Sequence, residues 1–205
     1  MKIIFATGNQ GKLREIKEIL GGPGIEILSM KEAGVACDPE ENGSTFLENA
    51  FIKAEAVREK CNASKDSSLQ QALVMADDSG LVIDAMPEEL GVRSARFMGH
   101  DTDYRLKNQA ILDRLSDLPE EKRSARFVCA IAAVFPDGRK VDAEGVMEGR
   151  IAHEIAGSGG FGYDPIFFLP DRNCTSAELT EEEKNAISHR GKALRQMKEK
   201  LTGSL

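Results

Sequence analysis

The stretch KIIFATGNQGKLREIKEIL, residues 2–20, decides the fold class. Residues 3–6 form an apolar run typical of a buried strand that begins at Lys2, and three apolar residues between positions 13 and 20 recur at helical spacing. A glycine-bearing turn at residues 7–12 joins the two. A strand that turns directly into a helix favours an α/β architecture.

The rest of the chain continues this mixture of strands and helices. Thr45 and Glu48 have the spacing of a capping box and predict a helix start, and further helices are expected at 102–115 and 180–201. A short strand at 73–76 and a hairpin from 125 to 146 complete the pattern, whereas the polar segment 61–71 is expected to be a surface loop. We therefore predict an α/β fold in which helices flank a mixed, twisted central sheet, formed by one domain over residues 1–205.

Composition excludes several classes of partner. The 205 residues carry 27 basic and 34 acidic side chains, for a net charge of −7, whereas nucleic acids and anionic membranes require a broad basic face. No apolar run approaches the roughly 20 residues that span a bilayer, and the apolar start is too short for a signal peptide. Four scattered cysteines show no metal-binding spacing. We expect a cytoplasmic protein with reduced thiols, no nucleic-acid partner and no membrane partner.

The turn at residues 7–12 is the first candidate for binding chemistry. Backbone N–H groups and the helix dipole at such a turn form an anion site, and Lys12 adds a positive charge. Only two residues separate Gly8 from Gly11 and Leu13 follows the lysine, so the turn is not a Walker A loop. Phosphate binding and a plain strand-to-helix turn both remain open.

A second glycine-rich loop, Gly157-x-Gly159-x-x-Gly162, matches the dinucleotide fingerprint in letters only. That fingerprint must open a helix, whereas the sequence after this loop predicts extended chain. The loop is either a tight structural turn or a means of placing Phe161 and Tyr163 beside a planar ligand.

Asp77 and Asp78 follow an apolar strand, where carboxylates lose solvation unless they are paired, hydrogen-bonded or bound to metal. Neighbouring strand residues face opposite sides, so both acids can serve one ion only if the chain turns at Ser79. Together with Glu40 and Glu41, such oxygen ligands suit Mg²⁺ bridged to phosphates. A capped turn with solvated acids is the alternative. Likewise, the Lys184, His189 and Arg190 cluster is either functional or a solvated helix end.

Four segments together resemble the inosine triphosphate pyrophosphatase family, and the resemblance covers nearly the whole chain. They are TGNQGK at 7–12, ADDSGL at 76–81, GGFGYDP at 159–165 and EKNAISHR at 183–190. The resemblance implies Mg²⁺-dependent hydrolysis of ITP, dITP or XTP to the monophosphate and pyrophosphate. It also implies two lobes with an active-site cleft between them, and a homodimer.

The resemblance also implies roles for individual residues. Asp78 would be the proton acceptor and a metal ligand, with Glu40 as the second ligand, chosen over Glu41 on its spacing to Gly43 alone. The implied substrate-binding residues are Thr7, Gly8, Asn9, Gln10, Gly11, Lys12, Lys53, Ser79, Phe161, Gly162, Tyr163, Asp164, Lys184, His189 and Arg190. Hydrogen-bond donors among the last three would favour a 6-oxo purine over adenine.

Two rival functions remain open at this point. One is a pyrophosphatase for modified pyrimidine triphosphates, which would share the phosphate chemistry and differ in its base pocket. The other is a nucleotide-binding sensor without catalysis, which the acids Asp77 and Asp78 disfavour because a pure binder gains nothing from acids facing a polyphosphate.

Overall fold

The structure is a computed structural model that describes residues 1–202. Its strands are β1 (Lys2–Phe5), β2 (Glu26–Ser29), β3 (Leu73–Ile83), β4 (Ser124–Val134), β5 (Lys140–Ile151), β6 (Phe167–Leu169) and β7 (Cys174–Thr175). Its α-helices are α1 (Gln10–Leu20), α2 (Phe46–Asn62), α3 (Ser67–Gln70), α4 (Tyr104–Arg114), α5 (Glu181–Ile187) and α6 (His189–Thr202). No helix within residues 1–202 has both the length and the apolar character needed to cross a membrane.

The strands form one mixed sheet in the order β2-β1-β3-β4-β5-β6-β7. Strand β1 pairs in parallel with both β2 and β3, whereas β6 pairs antiparallel with β5 and β7. A tight turn links β4 to β5, with the Phe135 N–H donating to the Arg139 carbonyl at 2.9 Å. The predicted α/β class with a mixed sheet and a hairpin is therefore confirmed.

The chain divides into two compact units. The first comprises residues 1–78, 129–145 and the chain from 190 onward. Its sheet is covered on both faces because successive strand residues point to opposite sides. Ile3 and Phe5 pack with apolar residues of α1 and α6, whereas Ile4 packs with Val57 and other residues of α2.

The second unit comprises residues 79–128 and 146–189. Its core joins the end of β3 to α4 and to aromatic residues of β4 and β6, among them Phe127 and Phe167. The fully buried Arg123 donates from Nε to the Ile151 carbonyl at 2.9 Å, and it also bonds the carbonyls of Leu115 and Ala152. This guanidinium therefore joins three backbone carbonyls of the second unit through one buried side chain.

The prediction of a loop at 61–71 is wrong. Helix α2 extends to Asn62, and α3 occupies Ser67–Gln70. The buried Arg58 explains this order, since its guanidinium donates to the carbonyls of Leu69 at 3.1 Å, Gln70 at 3.0 Å and Ala72. Polar composition correctly indicated exposure, since most side chains of the segment are exposed, but it could not show that Arg58 of the preceding helix orders the segment.

Two other boundaries differ from the predictions. Strand β3 runs without a turn from Leu73 to Ile83, so Ser79 lies inside a strand. The single C-terminal helix predicted at 180–201 is interrupted at Ser188, whose backbone is extended, with φ −64° and ψ 155°. Helix α6 therefore begins at His189 instead of continuing α5.

Candidate active site

The turn between β1 and α1 has the geometry of a capped helix start. Asn9 is the N-cap: its side chain accepts the Lys12 N–H at 3.1 Å, and its own N–H donates to Thr7 Oγ1 at 3.2 Å. Gly8 and Gln10 are exposed, and Gly11 is half-buried. The predicted turn therefore presents the N-terminus of an eleven-residue helix, whose remaining N–H groups and dipole favour an anion.

Asp77 is a buried carboxylate held by cations. The Lys12 Nζ lies 2.8 Å from its Oδ2, and Arg190 Nε lies 3.5 Å from the same oxygen. Arg190 is itself buried and also pairs with Glu15. Burial alone would raise the pKa of Asp77, but Lys12 and Arg190 bring it well below its ordinary range. Asp77 is therefore an anion that fixes two cations in place.

Asp78 has a separate set of partners. Asn49 Nδ2 donates to its Oδ2 at 3.1 Å, and Lys53 Nζ lies 3.5 Å from its Oδ1. Burial raises the pKa of Asp78 above its ordinary value, although Lys53 and the Asn49 hydrogen bond oppose that rise. Because β3 continues through both acids, their side chains point to opposite sides of the strand. Asp77 thus organises Lys12 and Arg190, while Asp78 contacts Asn49 and Lys53 on the other side of the strand.

Glu41, not Glu40, contacts this set of residues. Its Oε2 lies 3.1 Å from Lys53 Nζ, and its charge contributes to the raised pKa of Asp78, whereas Glu40 is exposed. Burial alone would lower the pKa of Lys53, but the neighbouring carboxylates raise it, so the lysine is a cation. The spacing argument that selected Glu40 is not supported by this geometry.

These acids fit a divalent ion that shares its coordination with a phosphate. Asp78 and Glu41 offer hard oxygen donors, which Mg²⁺ prefers. Within residues 1–202 no three His, Cys, Asp or Glu side chains form a group able to enclose a metal. A site with one or two carboxylates leaves coordination positions for substrate oxygens and water. Mg²⁺ is usually bound in this way, whereas a structural metal is enclosed by protein ligands.

In the second unit, Asp164 is the centre of a buried network. Its Oδ2 accepts from Lys184 Nζ at 2.6 Å and from the Phe161 N–H at 2.8 Å, and its Oδ1 accepts from Ser176 Oγ at 2.9 Å. The Lys184 Nζ also lies 4.7 Å from the centre of the Phe161 ring, which is 37% exposed. The network therefore holds an accessible aromatic ring and a buried ammonium side by side.

His189 is also fixed by packing. Its ring is buried and stacks on Phe127, with centroids 4.8 Å apart and planes inclined by 13°. The helix break at Ser188 places it at the start of α6. It is thus no part of a solvated helix end, and neither are Lys184 and Arg190, which are also buried.

Tyr163 occupies a different environment from the one proposed for a ligand-facing ring. Its side chain is buried, its hydroxyl donates to the Ser94 carbonyl at 2.5 Å, and its ring packs edge-to-face on Tyr104 at 5.2 Å. Phe161 alone of the two aromatic residues is accessible. The half-buried Gly162 carbonyl accepts from Asn108 Nδ2 at 3.1 Å, which ties this loop to α4.

Sequence reasoning missed Asn49, Ser176 and Phe127 as parts of these clusters, and it considered Glu41 but ranked it behind Glu40. A signal existed for Asn49, since Asn49 and Lys53 are four residues apart and so share one face of α2. Ser176 and Phe127 gave no comparable signal, because their partners lie far away in the chain. Ser79, predicted to touch substrate, is half-buried directly after Asp78 in β3.

Comparison with known proteins agrees with the sequence motifs. The model of the Ham1 family matches residues 3–200. The dITP/XTP pyrophosphatase of Clostridium perfringens is 44% identical over 204 residues, covering 100% of this chain and 98% of that protein. The dITP/XTP pyrophosphatase of Halalkalibacterium halodurans is 46% identical, covering 95% of each.

Solved structures of similar proteins share the fold. The Ham1 protein of Staphylococcus aureus has a TM-score of 0.85 at 36% identity, covering 100% of both chains. The HAM1 protein of Coxiella burnetii has a TM-score of 0.85 at 40% identity, covering 99% of each. The resemblance inferred from the four motifs is thereby confirmed, and the chain belongs to the Ham1 family.

Proposed function

We propose that this protein hydrolyses the non-standard purine nucleoside triphosphates ITP, dITP and XTP to the nucleoside monophosphate and pyrophosphate. The observation that carries this proposal is the pair of acids on β3, of which Asp77 holds Lys12 and Arg190 while Asp78 contacts Asn49 and Lys53. The names of the relatives, dITP/XTP pyrophosphatase, support the same reaction.

The first unit would bind the triphosphate. The N–H groups at the start of α1, in the turn at residues 7–12, suit phosphate oxygens, and Lys12 and Lys53 would offset their charge. Lys12 is already oriented by Asp77, so little side-chain entropy is lost on binding. Ser79 follows Asp78 directly and would contact the same substrate region.

Asp78 would act on the attacking water. Hydrolysis to a monophosphate and pyrophosphate requires a water aligned with the α-phosphorus, and a carboxylate beside it can orient the water and accept its proton. Asp78 is buried and held by donors to both oxygens, which restricts its geometry. Its environment therefore supports a catalytic role better than that of Asp77, whose charge is committed to Lys12 and Arg190.

We further propose Mg²⁺ as the cofactor, with Asp78 as a ligand and Glu41 as the better supported partner from the acidic loop. The contact of Glu41 with Lys53 supports this choice over Glu40. When bound, Mg²⁺ would offset the negative charge that gathers on the leaving pyrophosphate.

The base would be recognised by residues around the second glycine-rich loop. Phe161 offers an accessible ring for stacking, and the loop backbone of residues 161–164 is held by Asp164. Donors from Lys184, His189 or Arg190 would favour the 6-oxo group of hypoxanthine and xanthine, because a buried donor facing the amine of adenine would lose its partner.

We also propose a cytoplasmic homodimer. Exposed apolar side chains in the second unit support an interface, with Met98 49% and Leu106 61% exposed. The cysteines Cys37, Cys61, Cys129 and Cys174 are free thiols, as suits a reducing compartment. Light scattering coupled to size exclusion measures the oligomeric state, and a monomer at micromolar concentration would contradict the dimer.

A substrate panel tests the proposed function. Pyrophosphate release from ITP, dITP, XTP, ATP, GTP and modified pyrimidine triphosphates is measured with Mg²⁺ and with EDTA. Rapid release from the first three alone supports the proposal. Preference for a modified pyrimidine would favour the rival enzyme, and binding without pyrophosphate release would favour a sensor.

A further inference from the structure

We propose that Asn49 is a positioning residue for Asp78, and that its side-chain amide joins Asp78 to the acidic loop at residues 40–43. The inference rests on the proposed function, since it assigns Asn49 a part in that reaction. Asn49 is fully buried in α2 and makes two hydrogen bonds that link segments distant in sequence.

The two contacts determine which way the amide points. Asn49 Oδ1 accepts the Gly43 N–H at 2.8 Å, and Asn49 Nδ2 donates to Asp78 Oδ2 at 3.1 Å. A flipped amide would place its NH₂ group against a backbone N–H and its oxygen against a carboxylate, and both contacts would be repulsive. The donor therefore faces Asp78 because a backbone donor occupies the other end.

The loop is packed so closely against this amide that a side chain at position 43 would force neighbouring atoms to shift. A Cβ on Gly43 would lie 2.7 Å from Asn49 Oδ1 and 2.8 Å from Glu48 Cβ. The capping box adds a second attachment, since Glu48 Oε2 accepts the Ser44 N–H at 2.7 Å. The N-terminal turn of α2 therefore sets the position of the loop that carries Glu41.

Asn49 and Lys53 together fix the plane of the Asp78 carboxylate. They lie one helical turn apart on α2 and reach different oxygens, Asn49 to Oδ2 and Lys53 to Oδ1. Lys53 contributes a positive charge, whereas the neutral amide of Asn49 contributes a directional hydrogen bond. A carboxylate oriented in advance needs no reorganisation during the reaction, and removal of such supporting hydrogen bonds costs about 10–100-fold in activity or metal affinity.

An isosteric variant separates carboxylate positioning from loop anchoring. In Asn49→Asp, one oxygen can still accept the Gly43 N–H, but the donor to Asp78 is replaced by a carboxylate oxygen that repels it. We expect kcat for ITP to fall at least about tenfold while KM stays within about threefold. Asn62→Asp is the matched control, because it adds the same charge to the same helix at an exposed position where the side-chain oxygen accepts from Arg58. It should retain the kcat of the unmodified protein.

Metal binding provides a readout independent of turnover. Mn²⁺ is titrated into the protein with a non-hydrolysable α,β-methylene analogue of ITP, and free Mn²⁺ is measured by electron paramagnetic resonance. In Asn49→Ala, which loses both hydrogen bonds, Mn²⁺ affinity should fall about tenfold. Circular dichroism checks that each variant folds. If Asn49→Ala does not fold, the kcat of Asn49→Asp still tests the positioning role.

The outcomes separate this inference from the proposed function. If unmodified protein releases no pyrophosphate, the proposed function fails, and the Mn²⁺ titration alone decides the role of Asn49. If unmodified protein is active and Asn49→Asp has the kcat of Asn62→Asp, the amide only anchors the loop and the positioning role is overturned. Unchanged Mn²⁺ affinity in folded Asn49→Ala would also overturn it.

Discussion

Replacing Asp77 with asparagine should destabilise the protein far more than the loss of an ordinary ion pair does. The Asp77 side chain is 1% exposed, and it pairs with Lys12, which is 18% exposed, and Arg190, which is 3% exposed. Asp77→Asn removes the shared counter-charge and leaves two partly or fully buried cations facing each other across a neutral amide. Breaking a buried ion pair in this way costs about 3–5 kcal/mol.

The structure favours the lower end of that range. Arg190 keeps Glu15 as a partner, and Lys12 retains some access to water. We therefore expect a loss of about 3 kcal/mol in the free energy of unfolding. For a chain of this size, each kcal/mol lowers Tm by about 2–4 °C, so the expected shift is about 6–12 °C.

Urea unfolding followed by far-ultraviolet circular dichroism measures this difference. Asp84→Asn is the matched control, since Asp84 lies 2.8 Å from Arg126 in a pair whose side chains are 52% and 38% exposed. Exposed pairs contribute about 0–1 kcal/mol. Equal stability of the two variants would refute the conclusion that Asp77 holds the cations of this site in place.

Three further predictions follow from single contacts. Asp78→Asn should lower turnover of ITP by at least about 100-fold while leaving the circular dichroism spectrum unchanged, and retained turnover would refute its catalytic role. Gly43→Ala should cost about 1–3 kcal/mol of stability in urea unfolding, because its Cβ would lie within 3 Å of Asn49 and Glu48 atoms; an unchanged midpoint would show that the loop can shift freely. Iodoacetamide at pH 8 should label Cys37 before Cys129, because burial raises the pKa of the Cys129 thiol to about 12 and leaves little reactive thiolate. Labelling of the native protein is measured by mass spectrometry. Equal labelling of the two cysteines would contradict the buried environment of Cys129.

Local sequence patterns predicted those parts of the fold whose structure depends on nearby residues. The strand, glycine turn and helix at the start of the chain are such a case, since the apolar residues Leu13, Ile16 and Leu20 all face the core. The capping box at Thr45 and Glu48 is confirmed for the same reason, because both of its hydrogen bonds lie within one helical turn.

Features that depend on distant partners could not be predicted. A turn at Ser79 was required for Asp77 and Asp78 to serve one ion, yet β3 continues through Ser79 as an interior strand of the sheet. The polar composition of segment 61–71 predicted a surface loop, but Arg58 holds part of the segment through hydrogen bonds to the carbonyls of Leu69 and Gln70. Local propensity is a weak guide where long-range packing and hydrogen bonding oppose it.

In the candidate site, too, local motifs predicted which residues take part but not which distant residues they contact. Motifs located Asp77, Asp78, Lys12 and Lys184, but they could not show that the two acids serve different partners. They also selected Glu40, whereas the contact with Lys53 belongs to Glu41. Only the folded chain shows which of two adjacent acids in a loop points toward a lysine on the following helix.

Pyrophosphate release from ITP and XTP, compared with ATP and GTP, is the most direct test of the central claim. With Mg²⁺ present, we expect one pyrophosphate and one monophosphate for each ITP or XTP consumed, much slower release from ATP and GTP, and no release in EDTA. Release of orthophosphate instead, or equal rates for ATP and ITP, would contradict the proposed reaction and its base recognition.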